Sequence, residues 1–179
     1  MRPPIRLFRA GVRFYQLNRA TPAGAFTIGE QQTWAPADTE NRWMGSAATN
    51  FQNDVAVGFS TSSATVFPSV RYAARLGTDT PGTGLAQGET SIVAGGGSQT
   101  STSGRWGDYS DLTVDPSDDC TFWYTQEYYV TSTEPGNTTA PGTRASRSLR
   151  RVRVRFRRAA RLTERLPIAK PVCRYPMPL

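Results

Sequence analysis

Two Arg-Trp pairs, Arg42-Trp43 and Arg105-Trp106, are the residues of this sequence best suited to holding a ligand. A guanidinium group pairs with carboxylates and phosphates through two parallel hydrogen bonds, and an indole offers a flat apolar face beside an N–H donor. A carboxylate and a phenol follow the second pair. The predicted binding residues, for a glycan or an anion, are Arg42, Arg105, Trp106, Asp108 and Tyr109.

The same pairs have a structural interpretation, which the sequence favours. A tryptophan fills space inside a β-sheet protein, and the arginine beside it stacks on a ring or pairs with a nearby carboxylate. The chain contains no histidine, so it lacks the usual general base near neutral pH, the Ser/His/Asp triad and His-based zinc motifs. We therefore predict no catalytic residue and no cofactor.

Three acidic residues, Asp115, Asp118 and Asp119, lie close together before an aromatic segment. They are weak candidates for a calcium site, because calcium takes about six to eight oxygen ligands and one turn offers few. Aspartates beside a proline usually form a turn by accepting backbone N–H bonds. We predict a turn here and no metal.

The elements that carry these residues recur along the chain. Val12-Arg13-Phe14 returns as Val70-Arg71-Tyr72, Arg42-Trp43 returns as Arg105-Trp106, and residues 54–60 resemble residues 119–125. Such self-similarity in a constant order indicates an array of structural units.

Short runs rich in Val, Thr and aromatic residues alternate with Gly, Pro, Asn and Asp clusters, a pattern typical of strands and turns. The predicted strands are residues 12–17, 25–33, 42–49, 55–60, 69–76, 91–95, 109–114 and 121–129. One repeat thus has four antiparallel strands, like the blade of a β-propeller. The predicted fold is all-β, a partial β-propeller of about two blades; a β-sandwich is the alternative, because it would close by itself.

The composition divides the chain into three parts: an N-terminal extension at residues 1–11, the repeats at 12–143, and a tail at 144–179. The repeats themselves span about 12–69 and 70–130. A ring needs roughly four to eight blades, so we expect this chain to belong to a larger propeller or to an assembly, with the remaining blades as partners. The sequence contains no run of about 18 apolar residues for a membrane span and no signal peptide.

The tail holds 12 of the 21 basic residues and one of the 14 acidic residues. We expect it to be irregular or helical, although residues 150–158 alternate partly like an edge strand. Clustered arginines bind nucleic acid by releasing counterions, but arginine outnumbers lysine 20 to 1, as in a GC-rich gene. Because such DNA read out of frame yields Arg, Pro and Ala, we favour a frameshift near Arg144 over a nucleic-acid-binding arm.

Residues 105–110 and 118–129, together with 41–46 and 67–72, resemble the sialidase-like (BNR-type) β-propellers of large secreted bacterial proteins. The resemblance covers about residues 11–143. It implies an array of propeller blades, located outside the cell or at its surface, that is often not enzymatic.

A catalytic sialidase needs three arginines on the substrate carboxylate, a tyrosine activated by a glutamate, and an acid. The matching residue types here are Arg42, Arg71, Arg105, Tyr109, Glu127 and Asp108. Two of these arginines are repeat equivalents, and residues 27–34 carry only a degenerate form of the family's Asp-box. The sequence therefore favours a non-catalytic structural or glycan-binding propeller fragment. The alternatives are a sialidase-like glycoside hydrolase fragment and nucleic-acid binding through the tail.

Overall fold

The computed structural model describes residues 9–99, 106–107 and 110–132, together with the backbone of one further strand, Arg150–Val154. Over these residues the chain is all-β: nine strands form three antiparallel sheets, and helices are absent from them. The predicted all-β class is therefore confirmed. Nothing in the same residues is a helix long and apolar enough to cross a bilayer.

The three sheets follow one another along the chain. The first, here called the hairpin, pairs β1 (Val12–Asn18) with β2 (Thr27–Trp34). The central sheet has the strand order β3 (Asn41–Thr49), β4 (Val55–Ser62), β5 (Ser69–Arg75) and β6 (Glu89–Val93). The third sheet has the order β7 (Asp111–Val114), β8 (Phe122–Gln126) and β9 (Arg150–Val154).

Strand β4 lies at the centre of the packing, and all but the last of its residues are buried. Alternate side chains of a strand point to opposite faces of its sheet. Val57 and Phe59 therefore pack against Phe14 of the hairpin, while Ala56 packs against Tyr124 of the third sheet. The central sheet is thus sandwiched between the other two.

The sequence repeats occupy equivalent places in successive sheets. Val12 and Phe14 of β1 pack on the sheet that follows them, as do Val70 and Tyr72 of β5. In the same way, Val57 and Phe59 of β4 pack on the preceding sheet, as do their counterparts Phe122 and Tyr124 of β8. Side chains at equivalent repeat positions therefore point to the same side of their sheets, towards the preceding or the following sheet.

The predicted repeat boundary at Val70 lies within β5, which is between β4 and β6 in the central sheet. The division of the chain into domains stays a prediction. Part of the tail, which was expected to be irregular or helical, forms strand β9. This strand pairs antiparallel with β8 and is an edge strand of the third sheet.

Cys120 is buried and disulfide-bonded. The other cysteine, Cys173, lies outside the described residues.

Candidate functional site

The structure describes two of the five predicted binding residues, Arg42 and Trp106, whereas Arg105, Asp108 and Tyr109 lie outside the described residues. Arg42 bonds to side chains between the hairpin and the central sheet. Trp106 instead contacts Trp43, the neighbour of Arg42 in β3, whose side chain points to the opposite face of the sheet. The two residues therefore belong to separate groups of side chains.

The guanidinium group of Arg42 is buried, with 2% of its surface exposed, and each of its nitrogens is hydrogen-bonded. Its Nε donates to Glu89 Oε2 at 2.7 Å, and its Nη2 donates to Asp38 Oδ2 at 2.6 Å. Its Nη1 donates to Asp38 Oδ1 at 3.0 Å and to the Glu40 carbonyl at 3.1 Å. The predicted pairing of this arginine with a carboxylate is confirmed.

A second arginine, Arg71 of β5, joins the same ionic network. Its Nη1 lies 2.8 Å from Glu89 Oε1 and 2.9 Å from Glu40 Oε2. The hairpin takes part as well, because Trp34 Nε1 donates to Glu89 Oε2 at 2.9 Å. The network therefore ties the end of β2 to the central sheet.

Two carboxylates of this network, those of Asp38 and Glu89, have pKa values below their usual range. The hydrogen bond from Arg42 lowers the pKa of Asp38 to about 2. Burial raises the pKa of Glu89, but hydrogen bonds from Arg42, Trp34 and Arg71 outweigh it, and the pKa lies below its usual value. Burial also disfavours the charged form of Arg42, yet its bonds to Asp38 and Glu89 raise its pKa above the ordinary range. At neutral pH Asp38, Glu89 and Arg42 are therefore charged, and the arginine is paired with both carboxylates.

An aromatic cluster, defined here as Trp43, Trp106 and Tyr129, lies where the central sheet meets the segments beside the third sheet. The ring centroids of Trp43 and Trp106 are 5.1 Å apart with planes tilted by 58°. Those of Trp106 and Tyr129 are 5.4 Å apart with planes tilted by 48°. All three side chains are partly exposed, so the cluster borders solvent.

Hydrogen bonds fix the orientation of each ring. Trp43 Nε1 donates to Ser62 Oγ at 3.1 Å, and Trp106 Nε1 donates to Ser60 Oγ at 3.2 Å. Both indoles are therefore anchored to hydroxyls of the same strand, β4. The Tyr129 hydroxyl accepts a bond of 3.3 Å from Gln99 Nε2.

A carboxylate with an unused acceptor lies beside this cluster. Glu127 Oε2 accepts a hydrogen bond of 3.2 Å from the backbone N–H of Gly107, the residue after Trp106, while its Oε1 is buried and has no hydrogen-bond partner. Gly107 has φ +65°, and a Cβ there would lie 3.0 Å from Met44 Cε. Glycine suits this position because it adopts a positive φ without strain and leaves room for the Met44 side chain.

A cavity of about 280 Å³ lies at the end of β4, next to Ser62, the serine to which Trp43 donates. Residues 62–68 and Ser98 line it. Ser62, which accepts the bond from Trp43, is one of these lining residues, and Gln99, which bonds Tyr129, follows Ser98 in the chain. Serine and threonine hydroxyls supply most of its polar groups, beside the exposed ring of Phe67.

The acidic segment forms the predicted turn. Asp115 Oδ1 accepts bonds from the N–H and hydroxyl of Ser117, and its Oδ2 accepts a bond of 2.9 Å from Trp123 Nε1. Asp118 Oδ1 accepts the backbone N–H groups of Cys120 and Thr121 at 3.0 and 2.8 Å. Asp119 adopts φ +48°, which suits the turn. Within the described part of the chain, metal-ligating side chains form no group of three or more.

Sequence reasoning missed the contact between the two repeats at the aromatic cluster. The echo of Arg42-Trp43 in Arg105-Trp106 showed that the tryptophans are equivalent, but an equivalence carries no information about contact. Tyr129 and Gln99 were not singled out as partners either, because their positions depend on how the sheets stack. The recurrence of an Arg-Trp pair was the one available signal.

Searches against protein-family models, curated proteins and solved structures found no match for this chain. The resemblance to sialidase-like propellers therefore rests on the sequence segments alone.

Proposed function

We propose that this chain is a run of consecutive β-propeller blades that acts as a non-catalytic module and binds a glycan at the aromatic cluster. The observation that carries the proposal is the contact of Trp43, Trp106 and Tyr129 beside a hydroxyl-lined cavity that shares Ser62 with them.

The stacking of the sheets supports the architectural part of the proposal. In a propeller, four-stranded antiparallel blades pack face to face, each on the next. The central sheet has four strands in sequential order and is covered on both faces by neighbouring sheets. Strands β1 and β2 correspond to β5 and β6, the last two strands of a blade, and β7 to β9 correspond to β3 to β5, the first three.

The chemistry of the cluster supports the choice of a glycan. A sugar ring has an apolar C–H face that packs on an aromatic ring and a rim of hydroxyls that need hydrogen-bond partners. Trp43, Trp106 and Tyr129 supply the rings, and Ser62 and Ser98 supply hydroxyls. The cavity, at about 280 Å³, is slightly smaller than the usual range for small-molecule sites, about 300–1,000 Å³, so we expect it to hold a small ligand such as a single sugar unit.

The ionic network argues against the hydrolase alternative. A sialidase-like site would use arginines to hold the carboxylate of its substrate. Arg42 already binds Asp38 and Glu89, and Arg71 already binds Glu40 and Glu89. A substrate carboxylate would have to displace these partners, of which Glu40 and Glu89 are largely buried and Asp38 is exposed.

A glycan array followed by calorimetry on the best hits tests the proposal. Trp106→Ala should weaken binding by tenfold or more, about the loss from removing a central contact residue. Ser62→Ala, which removes a hydroxyl that lines the cavity, should weaken it as well. Phe51→Ala, which removes an exposed aromatic ring from the β3–β4 turn, is the matched control and should bind normally. The absence of any glycan hit for the folded wild-type chain would overturn the proposal, as would full binding by both site variants.

The two alternatives give different results. Turnover of a fluorogenic sialoside that is lost in Arg105→Ala would establish a hydrolase. Nucleic-acid binding through the tail would weaken steeply with salt and disappear on truncation after Thr143.

A further inference from the structure

The outer face of the hairpin, turned away from the central sheet, carries a concentration of exposed apolar side chains. Tyr15 and Leu17 of β1 are 53% and 55% exposed, and Ile28 of β2 is 58% exposed. Phe26, just before β2, is 62% exposed. Single exposed apolar residues are ordinary, but a contiguous group marks an interaction surface.

The outer face of the third sheet, on the opposite side of the central sheet, has a recess. A cavity of about 360 Å³ opens at the third sheet, lined by Thr113 of β7 and by Trp123, Tyr124 and Thr125 of β8. Thr113, Trp123 and Thr125 alternate with Leu112 and Tyr124, which pack on the central sheet, so they belong to the outer face. Among the described residues, the outer face of the hairpin thus has exposed apolar side chains and the outer face of the third sheet has a recess.

The way in which successive sheets pack indicates what kind of surface would cover the outer faces of the hairpin and of the third sheet. The side of β5 that carries Arg71 and Ala73 is covered by the hairpin of the preceding layer. The equivalent side of β1 carries Arg13 and Tyr15, which by the same rule should be covered by a preceding sheet. Within the described residues, no sheet packs on that side. The outer face of the third sheet is the equivalent surface that such a layer would offer.

We propose that two copies of this chain associate head to tail, with the outer face of one hairpin packed on the outer face of the other copy's third sheet. Apolar side chains such as Leu17 and Ile28 would enter the recess lined by Thr113 and Trp123. A contact of this kind is heterologous: each copy uses a different surface, so a third copy can add at either free end. The proposal does not depend on glycan binding.

The size of the surface sets the expected strength. A face of two short strands offers less than the roughly 800 Å² per partner of a standard interface. We therefore expect association that depends on protein concentration, with a dissociation constant in the micromolar range or weaker.

Analytical ultracentrifugation of the full chain over a wide concentration range tests the association. Leu17→Glu at the hairpin face and Thr113→Arg at the recess should each weaken it by tenfold or more, since both place a charge in an apolar contact. Both positions are exposed, so neither change should affect folding. Val130→Glu, at an exposed apolar residue away from both faces, is the control and should associate like the wild type.

Mixing the two variants tests the head-to-tail geometry itself. The Leu17→Glu copy keeps an intact recess and the Thr113→Arg copy keeps an intact hairpin face, so the mixture should form a 1:1 dimer and nothing larger. A symmetric contact between two hairpin faces would give no such rescue and would overturn the proposal. A wild-type chain that is monomeric at every concentration would overturn it as well.

Discussion

The indole rings of Trp43 and Trp106 lie in contact, with centroids 5.1 Å apart, although the two residues come from successive repeats. Each indole donates to a serine of β4, so one strand anchors both. Two residues at equivalent positions of the sequence repeat are thus also in contact. This contact joins the central sheet to the segment that leads into the third sheet.

This contact should be visible by circular dichroism. Two indoles at this distance with tilted planes couple electronically and produce a bisignate band in the far-ultraviolet spectrum. Trp43→Phe and Trp106→Phe should each abolish the band while the urea unfolding midpoint changes little. Trp123→Phe, which alters an indole outside the cluster, should leave the band in place; its loss there would show that the assignment to Trp43 and Trp106 is wrong.

The sequence predicted the elements well because their physical signals are local. Strand β4 shows a continuous run of small and apolar residues, as expected for a strand buried on both faces. Val70-Arg71-Tyr72 echoed Val12-Arg13-Phe14 because both triplets place a valine and an aromatic residue on the same side of equivalent strands. Periodicity and turn residues suffice for such features.

The contacts between sheets could not be predicted in the same way. The ion pair of Glu30 with Arg75 joins β2 to β5, and it exists only because the hairpin docks in one register on the central sheet. The aromatic cluster likewise depends on the angle at which the segment around Trp106 passes β3. Sequence patterns show which residues share one face of a strand, but they do not show which faces of two sheets pack against each other.

Gly58 of β4 provides a test of the packing between the central and third sheets. A Cβ at this position would lie 2.7 Å from the ring of Tyr124, which is 1% exposed and cannot move aside without displacing its neighbours. Gly58→Ala should therefore lower the free energy of unfolding by about 1–3 kcal/mol, the usual cost of overpacking a core. The measurement is the urea midpoint.

The double variant Gly58→Ala/Tyr124→Leu separates this steric effect from a loss of strand stability. Leucine removes the ring that the new methyl group meets, so the alanine should cost much less in that background. Equal costs in both backgrounds would contradict the steric explanation.

The buried pair of Glu30 and Arg75 predicts non-additive mutations. Arg75 is 3% exposed, with its Nε 2.6 Å from Glu30 Oε2 and its Nη2 2.7 Å from Gln16 Oε1. Glu30→Ala leaves a buried cation without its carboxylate and should cost about 3–5 kcal/mol. Glu30→Met/Arg75→Met removes both charges and should cost less than the two single methionine variants together. Additive costs in urea unfolding would show that the two residues act independently.

The ionic network around Arg42 predicts that the stability of the fold falls in acid. The pKa of Asp38 is lowered from 3.8 to about 2 in the folded chain, chiefly by the hydrogen bond from Arg42, and that of Glu89 is also lowered. A carboxyl group with a depressed folded pKa contributes stability above its unfolded pKa and loses it as the pH falls through the folded value. Stability from Asp38 should therefore be complete above about pH 4 and should disappear towards about pH 2.

Urea midpoints measured between about pH 7 and pH 2.5 check this sign. Asp38→Asn should be less stable than the wild type at neutral pH, and the difference should shrink as the pH falls, because protonation removes the same charge from the wild type. Asp111→Asn changes an exposed aspartate outside the network and is the matched control, with a small difference at every pH. A constant gap between Asp38→Asn and the wild type down to pH 2.5 would mean that the carboxylate of Asp38 does not stabilise the fold through its charge.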